Sequence, residues 1–203
     1  MIRTLIFDLG RVIVPFDFRR GYDRMSQQCG LAPEEIRERL KSDGLVRAFE
    51  SGAIDGREFH RRVARLLETD VPYDEFCEIW FSVFLPETLI DDRFVESLHT
   101  RYRLVLLSNT NPIHFEMIRA RYAILRHFDA YVLSYEVGAM KPEPRIYAAA
   151  IEAAQCAPQE CFFTDDIPEY VEGARHAGID AVVFEGAEAL ERELRARGIV
   201  WDQ

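Results

Sequence analysis

The segment TLIFDL, residues 4–9, is an almost uninterrupted apolar run broken only by an aspartate, Asp8, near its end. Four further apolar runs follow along the chain, at residues 103–108, 130–134, 161–165 and 181–185. The apolar residues in these runs are continuous rather than alternating, which is typical of strands buried on both faces of a parallel sheet. Stretches with helical periodicity separate the last four runs, the first of them a helix expected over residues 115–126. This alternation predicts a Rossmann-like, doubly wound α/β fold with a parallel sheet.

The interval between the first and second runs has a different pattern. From residue 18 to residue 85 we find helical periodicity and no strand pattern, with one apolar stripe formed by Phe59, Val63, Leu66 and Leu67. This interval is too long for a simple crossover and too regular for a loop. We therefore expect a helical unit at residues 18–85, inserted after the first strand into an α/β core formed by residues 1–17 and 86–203.

Composition excludes several classes of partner. The chain has 25 Lys and Arg residues against 35 Asp and Glu residues, a formal charge of −10, which disfavours binding to nucleic acid or anionic lipid. No apolar run approaches the roughly 18 residues that a membrane span needs. The four cysteines are scattered without metal-binding spacing, as expected for reduced thiols in a cytoplasmic protein. We expect a small-molecule ligand and a monomer or small homo-oligomer.

Polar residues stand where the predicted strands end. Asp8, Ser108 and the Asp165–Asp166 pair lie at strand ends, and Lys141 follows the third strand. In an open α/β sheet, ligands bind beyond the carboxyl ends of the strands. Mg²⁺ prefers oxygen ligands and often binds through one or two carboxylates together with substrate phosphate. Each residue alone has an ordinary structural explanation, such as a turn or a helix cap, but together they predict a site for Mg²⁺ and phosphate.

Four segments carry a resemblance to a known family. They are IFDLGRVIVPFD at residues 6–17, LLSNTN at 106–111, GAMKPEPRIY at 138–147 and FFTDDIPEYVEGA at 162–174. In order and spacing they resemble the four motifs of the haloacid dehalogenase superfamily, and most of all its α-D-glucose-1-phosphate phosphatase branch. The helical insertion is similar to the α-helical cap that this superfamily places after the first strand. The resemblance covers essentially the whole chain.

The resemblance implies a Mg²⁺-dependent phosphatase acting on a small phosphate monoester, such as the sugar phosphate glucose-1-phosphate. Asp8 would be the nucleophile and would form an aspartyl-phosphate that water then hydrolyses. Ser108 and the backbone amide of Asn109 would hold the phosphoryl oxygens. Lys141 would neutralise charge on Asp8 and on the transferring group.

The same resemblance implies a set of metal ligands. Asp8, the backbone carbonyl of Gly10 and Asp166 would hold Mg²⁺, with or without Asp165. Which member of the aspartate pair binds directly stays open at this stage. In addition, we expect His114 to cap the helix that follows it and Glu169 to orient Lys141 or the metal.

One position departs from the family pattern. The superfamily's phosphatases usually carry a second aspartate two residues after the nucleophile, as general acid and base, and here that position is Gly10. General acid catalysis is typically worth about 10²–10⁴-fold in rate. Asp17 could replace this acid or could fix the hinge of the insertion. Two alternatives stay open, a dehalogenase that uses Asp8 against carbon and a non-catalytic protein that binds phosphate for regulation.

Overall fold

Five parallel strands form the central sheet of the computed structural model, which describes residues 1–202. The strand order is β3-β2-β1-β4-β5, so the first strand lies in the middle. The bounds are Thr4–Phe7 (β1), Arg103–Ser108 (β2), Ala130–Leu133 (β3), Cys161–Asp165 (β4) and Asp180–Val183 (β5). The predicted first strand is shortened because the chain turns after Phe7, where the amides of Ile13 and Val14 both donate to the carbonyl of Leu9.

Helices connect these strands and also form the insertion after β1. In the insertion they are Phe18–Cys29 (α1), Pro33–Ser42 (α2), Leu45–Glu50 (α3), Gly56–Leu67 (α4) and Tyr73–Phe81 (α5). The rest are Asp92–His99 (α6), Pro112–Arg121 (α7), Ser134–Val137 (α8), Pro144–Ala154 (α9), Pro168–His176 (α10) and Ala187–Ala196 (α11). Within residues 1–202, none of them has the length and apolar character to cross a bilayer.

The sheet is buried on both faces, which explains why its strands are continuous apolar runs. Successive side chains of a strand point to opposite faces. Leu5 and Phe7 therefore pack on one side, against α6, α7 and α11, whereas Ile6 packs on the other side, against α9 and α10. The predicted doubly wound α/β fold is confirmed.

Helices α1–α5 pack around an apolar core of their own. Phe59 stacks on Phe49 at 4.3 Å between ring centroids, and Trp80 meets Phe59 edge-on at 4.8 Å. Ile113 of α7 adds a side chain from outside the insertion. The chain enters and leaves through two antiparallel segments, in which the Asp17 amide donates to the Val83 carbonyl at 2.8 Å and the Leu85 amide to the Pro15 carbonyl at 3.0 Å. These segments lie at the two ends of the run of helices α1–α5.

Besides the first strand, three predicted elements differ at their ends. The strand expected over residues 181–185 runs from Asp180 to Val183. The helix expected over residues 115–126 begins at Pro112 and ends at Arg121, and a 3₁₀ turn, Ala123–His127, follows. It begins early because the Asn111 side chain accepts a hydrogen bond from the His114 amide and so caps the first turn. The strand expected to reach residue 134 stops at Leu133, where the short helix α8 begins.

Candidate active site

The carboxyl ends of β1, β2 and β4 bring the predicted polar residues to one edge of the sheet. Asp8 follows β1, Ser108 ends β2, and Asp165 and Asp166 stand at the end of β4. Phe7 and Thr164 are paired in register, so Asp8 and Asp165 are neighbours across the two strands. Oxygens of the three carboxylates lie within 4.8 Å of one another. Asp8 and Asp165 are buried and Asp166 is partly buried.

The ammonium group of Lys141 lies between two of these carboxylates. Its Nζ is 2.5 Å from Oδ1 of Asp8, 2.5 Å from Oδ2 of Asp165 and 3.2 Å from the carbonyl oxygen of Leu107. Burial lowers the pKa of Lys141, but the two carboxylates outweigh this and hold that pKa above its ordinary value. Burial also raises the pKa of the Asp8 carboxyl, and the Lys141 ammonium opposes this only in part. The lysine is therefore a fixed positive charge in contact with Asp8.

Asn109 fixes the backbone of the loop that carries Lys141. Its side-chain oxygen accepts a hydrogen bond from the Lys141 amide at 2.8 Å, and its side-chain nitrogen donates to the Lys141 carbonyl at 3.0 Å. Sequence reasoning assigned only the backbone amide of Asn109 and missed this contact. Ser108 is largely buried, and its hydroxyl makes no hydrogen bond within residues 1–202, which leaves it available to a ligand.

The two aspartates after β4 have different surroundings. Asp165 uses both carboxylate oxygens, because Oδ1 accepts from the Ile167 amide at 2.9 Å and Oδ2 binds Lys141. The Asp166 carboxylate makes no hydrogen bond or ion pair with another residue in the described part of the chain. Burial and the charge of Asp165 raise the pKa of Asp166, and the charge of Arg11 lowers it. Asp166 is thus the member of the pair with free oxygens.

Gly10 lies in the turn after β1, beside the ring of Phe16. A Cβ atom at residue 10 would stand 2.9 Å from Cε1 of Phe16, a distance that side chains essentially never adopt. The ring therefore occupies the space in which a larger residue at position 10 would sit. The carbonyl oxygen of Gly10 accepts no hydrogen bond from any described residue, so it is free to bind a cation.

Arg11, the next residue, adopts a positive φ of 57°, a backbone conformation that is unusual for residues other than glycine. Its guanidinium carbon lies 4.9 Å from the centroid of the Phe16 ring. The charge of Arg11 also lowers the pKa of Asp166.

The sequence suggests Asp17 as a replacement acid and Glu169 as a residue that orients Lys141 or the metal, but both make other contacts in the structure. Asp17 caps α1 and binds the guanidinium of Arg19 through both carboxylate oxygens, at 2.8 and 3.1 Å. These hydrogen bonds lower the pKa of Asp17, which is the wrong direction for a proton donor. Glu169 is exposed on α10 and is absent from the partners of Lys141, so the orienting role expected of it belongs to Asp165.

His114 joins the helical insertion to the core. Its Nε2 donates to the carbonyl of Trp80 on α5 at 3.0 Å, so its Nδ1 accepts from Asn111 Nδ2, 3.1 Å away. The ring stacks on the Trp80 indole with the planes at 16°. Burial lowers the pKa of His114 to about 4. The histidine is therefore neutral, and Asn111 rather than His114 caps α7.

This buried histidine predicts a pH dependence of stability. In the unfolded chain His114 binds a proton near its ordinary pKa of 6.5, whereas the folded protein binds it only near 4. The free energy of unfolding should therefore fall as pH drops through that window, with a contribution from His114 of at most about 1.4 kcal/mol per pH unit. His114→Gln removes this contribution, so the stability difference between wild type and variant should shrink between pH 7 and pH 4.5.

Urea unfolding of both proteins at several pH values measures that difference. The exposed His176→Gln variant is the control, and its curve should run parallel to the wild-type curve. Parallel curves for His114→Gln as well would contradict the buried, neutral state of His114.

Comparison with known proteins places this site in a family. Residues 2–178 match the haloacid dehalogenase-like hydrolases. D-ribitol-5-phosphate phosphatase from Bacteroides thetaiotaomicron is 26% identical over 201 residues, which cover 96% of this chain and 97% of the relative. A phosphatase from Mycobacterium tuberculosis is 30% identical, over 99% of this chain and 97% of the relative.

Solved structures agree with the sequence matches. A haloacid dehalogenase family enzyme from Bacteroides thetaiotaomicron, crystallised with magnesium and inorganic phosphate, superposes with a TM-score of 0.79 at 28% identity, covering 90% of this chain and 94% of that one. A hydrolase from Porphyromonas gingivalis gives 0.81 at 28% identity, covering 96% and 98%. The predicted superfamily and enzyme class are confirmed: this chain belongs to the haloacid dehalogenase-like hydrolase family, and these named relatives include phosphatases.

Proposed function

We propose that this hydrolase is a Mg²⁺-dependent phosphatase of small phosphate monoesters, which reacts through an aspartyl-phosphate on Asp8. The observation that carries the proposal is the contact between the buried Asp8 carboxylate and the Lys141 ammonium, beside a second, unpaired carboxylate on Asp166. A nucleophile, a fixed cation and free oxygen ligands are what phosphoryl transfer to a carboxylate requires.

The chain's own residues perform two displacements at phosphorus. A carboxylate oxygen of Asp8 attacks phosphorus in line, the bond from phosphorus to the alcohol oxygen breaks, and that oxygen leaves with the electron pair and takes a proton from solvent. Water then attacks phosphorus, and the bond to Asp8 breaks, which restores the carboxylate and releases inorganic phosphate. Lys141 balances the negative charge of Asp8 and of the transferring group, and Ser108 donates to a phosphoryl oxygen.

The oxygen atoms of this site are suitable ligands for a divalent cation. Three carboxylates stand within 4.8 Å of one another and Lys141 supplies one positive charge, so the ionised site carries two uncompensated negative charges. Asp8, Asp166 and the carbonyl of Gly10 would hold Mg²⁺, while Asp165 positions Lys141. When bound, Mg²⁺ supplies positive charge that stabilises the phosphoryl oxygens. The structurally similar enzyme from Bacteroides thetaiotaomicron was crystallised with magnesium and inorganic phosphate, which supports a role for Mg²⁺ here.

Because Asp165 and Asp166 have different proposed roles, replacing each of them should cause a different kinetic defect. Asp166→Asn should raise the Mg²⁺ concentration that gives half-maximal activity by at least about tenfold, since even outer partners of metal ligands are worth about 10–100-fold. Asp165→Asn should lower kcat with little change in that concentration, because it loosens Lys141. Mg²⁺ titrations of phosphate release from both variants measure this. The reverse assignment of defects would contradict the proposed ligand set.

We also propose that residues 18–85 act as a cap over a catalytic core formed by residues 1–17 and 86–203. The separate apolar core of α1–α5 and the paired segments at its two ends support this division. Gly10 offers no acid to the leaving group, so esters of more acidic alcohols should react best. Glucose-1-phosphate, whose anomeric hydroxyl is such an alcohol, is the sugar phosphate that the motif pattern favours.

Phosphate release from a panel of esters tests the proposed function. The panel contains glucose-1-phosphate, ribitol-5-phosphate, hexose-6-phosphates, nucleotides and p-nitrophenyl phosphate, each with Mg²⁺ and with EDTA. We expect turnover that requires Mg²⁺. If no ester is hydrolysed although Mg²⁺ binds, the regulatory alternative replaces the phosphatase. Turnover of a 2-haloacid with EDTA present would instead favour the dehalogenase.

A further inference from the structure

Two of the four cysteines are in contact at the edge of the sheet opposite the candidate active site. Cys161 is the first residue of β4, and Cys156 lies in the turn between α9 and that strand. Their sulfur atoms are 3.5 Å apart, and both thiols are free. Cys29 and Cys77 belong to helices α1 and α5 of the insertion, and neither makes a sulfur–sulfur contact within residues 1–202. Cys156 and Cys161 therefore form a pair of neighbouring thiols.

The two thiols of this pair have different surroundings. Cys161 is fully buried, and its S–H donates to the carbonyl of Ala157 at 3.6 Å. Burial, and next the hydrogen bond to Cys156, raise the pKa of Cys161 to about 12. Cys156 is partly exposed, because it lines a hollow on the protein surface, and its sulfur is 3.4 Å from the hydroxyl of Thr4. Solvent therefore reaches Cys156 first, and Cys161 lies behind it as a protonated thiol.

The geometry allows the two sulfurs to bond. A disulfide has a bond length of about 2.05 Å, so the sulfur atoms must approach by about 1.5 Å. Because Cys156 borders the surface hollow, its side chain has room for that movement. Only residues 157–160 separate the two cysteines, and they contain the 3₁₀ turn Pro158–Glu160. The bond would therefore close a short loop and leave the pairing of Thr4 with Cys161 between β1 and β4 in place.

We propose that Cys156 and Cys161 are a site of reversible oxidation, at which a peroxide converts the two thiols into an intramolecular disulfide. The deprotonated sulfur of Cys156 attacks one oxygen of hydrogen peroxide and the O–O bond breaks. The sulfur gives up two electrons and becomes a sulfenic acid, and the departing hydroxide takes up the thiol proton as water. The sulfur of Cys161 then attacks that of Cys156, the S–O bond breaks, and hydroxide leaves with the Cys161 proton as a second water.

The neighbouring thiol limits this oxidation to its reversible step. A sulfenic acid without a nearby thiol is oxidised further, to sulfinic and sulfonic acids that thiol reductants do not reverse. The sulfur of Cys161, 3.5 Å away, captures the sulfenic acid of Cys156 before this happens. A dithiol reductant then restores both thiols by thiol–disulfide exchange. The pair thus keeps a reactive position next to the core from irreversible damage.

The position of the pair separates this proposal from the proposed function. Cys161 begins β4 and Asp165 ends it, four residues and about 13 Å further along the strand. The disulfide therefore forms at the opposite end of the strand from the carboxylate cluster. We expect the oxidised protein to release phosphate at nearly the same rate as the reduced protein, so either proposal can fail without the other.

Peptide mapping of the wild-type protein after exposure to hydrogen peroxide tests the proposal. Both cysteines fall in one tryptic peptide, residues 146–175, because no Lys or Arg lies between them. We expect this peptide to lose two hydrogen atoms and to resist alkylation until dithiothreitol is added. Cleavage after Glu160 should leave its two halves joined. A sulfinic acid at Cys156 beside a free Cys161 thiol, or a disulfide that joins two protein molecules, overturns the proposal.

The variant Cys29→Ser/Cys77→Ser isolates the pair, since it leaves two of the four thiols. Peroxide should remove both remaining thiols, and dimedone, which traps sulfenic acids, should label neither. Adding Cys161→Ala should produce a dimedone adduct at Cys156. Adding Cys156→Ser instead changes only a partly exposed side chain, so this variant should fold, and its buried Cys161 thiol should persist in peroxide. Equal dimedone labelling of Cys156 with and without Cys161, or rapid loss of the Cys161 thiol without Cys156, contradicts the proposal.

Discussion

Replacing Asp8 by Asn is expected to abolish phosphate release, lowering kcat/KM by at least about 10⁴-fold. Loss of a covalent nucleophile has effects of this order, and only binding and charge stabilisation remain to accelerate the reaction. Asn has nearly the shape of Asp and can still contact Lys141, so the fold should be retained. Phosphate release with Mg²⁺, beside a thermal unfolding curve, measures both properties.

Asp17→Asn is the matched control for this variant. Asp17 is a partly exposed aspartate in the same segment whose carboxylate binds Arg19, so its loss should leave turnover nearly unchanged. Retained activity in Asp17→Asn would also remove Asp17 as a substitute for the missing acid at Gly10. Retained activity in Asp8→Asn would contradict the nucleophile assignment.

Replacing Lys141 by Met is expected to damage both stability and activity. The change leaves Asp8 and Asp165 buried beside each other without their shared cation. Breaking a buried ion pair by removal of one partner costs about 3–5 kcal/mol in the free energy of unfolding. Turnover should fall by about 10²–10³-fold, the typical value of one group that stabilises transition-state charge.

Urea unfolding in EDTA measures the stability change without a compensating metal. Added Mg²⁺ should recover part of the lost stability, because it neutralises the same carboxylates. The double variant Lys141→Met/Asp165→Asn should be less destabilised than Lys141→Met, since one of the two unpaired charges is removed. The exposed Lys41→Met variant serves as the control, with a change within about 0.5 kcal/mol. Unchanged stability in Lys141→Met would mean that the buried ion pair is not formed.

Much of the fold was predictable because burial determines the pattern of its strands. Ile6 faces one helical layer while Leu5 and Phe7 face the other, so these three consecutive positions of β1 are all apolar. The stripe Phe59, Val63 and Leu67 likewise marks one face of α4. The start of α7 was also readable from Asn111 and Pro112, a capping residue followed by a proline at the first helical position.

The sequence predicted which residues lie together at the candidate site, but it did not predict which of their side chains are in contact. Parallel strands bring their carboxyl ends together, so Asp8, Ser108 and the aspartate pair had to be neighbours. Which carboxylate holds Lys141 depends on hydrogen bonds to Asp165 that no spacing reveals. The contact between Gly10 and Phe16 depends on the conformation of the turn after β1, which the sequence pattern does not determine.

Chemical trapping of the intermediate tests the central claim most directly. Borohydride reduces an aspartyl-phosphate to homoserine, so the enzyme is quenched with borohydride during turnover of p-nitrophenyl phosphate and its peptides are analysed by mass spectrometry. We predict homoserine at position 8, dependent on substrate and Mg²⁺ and missing from Asp8→Asn. Phosphate release with no modification at residue 8, or with modification at another aspartate, would contradict the account.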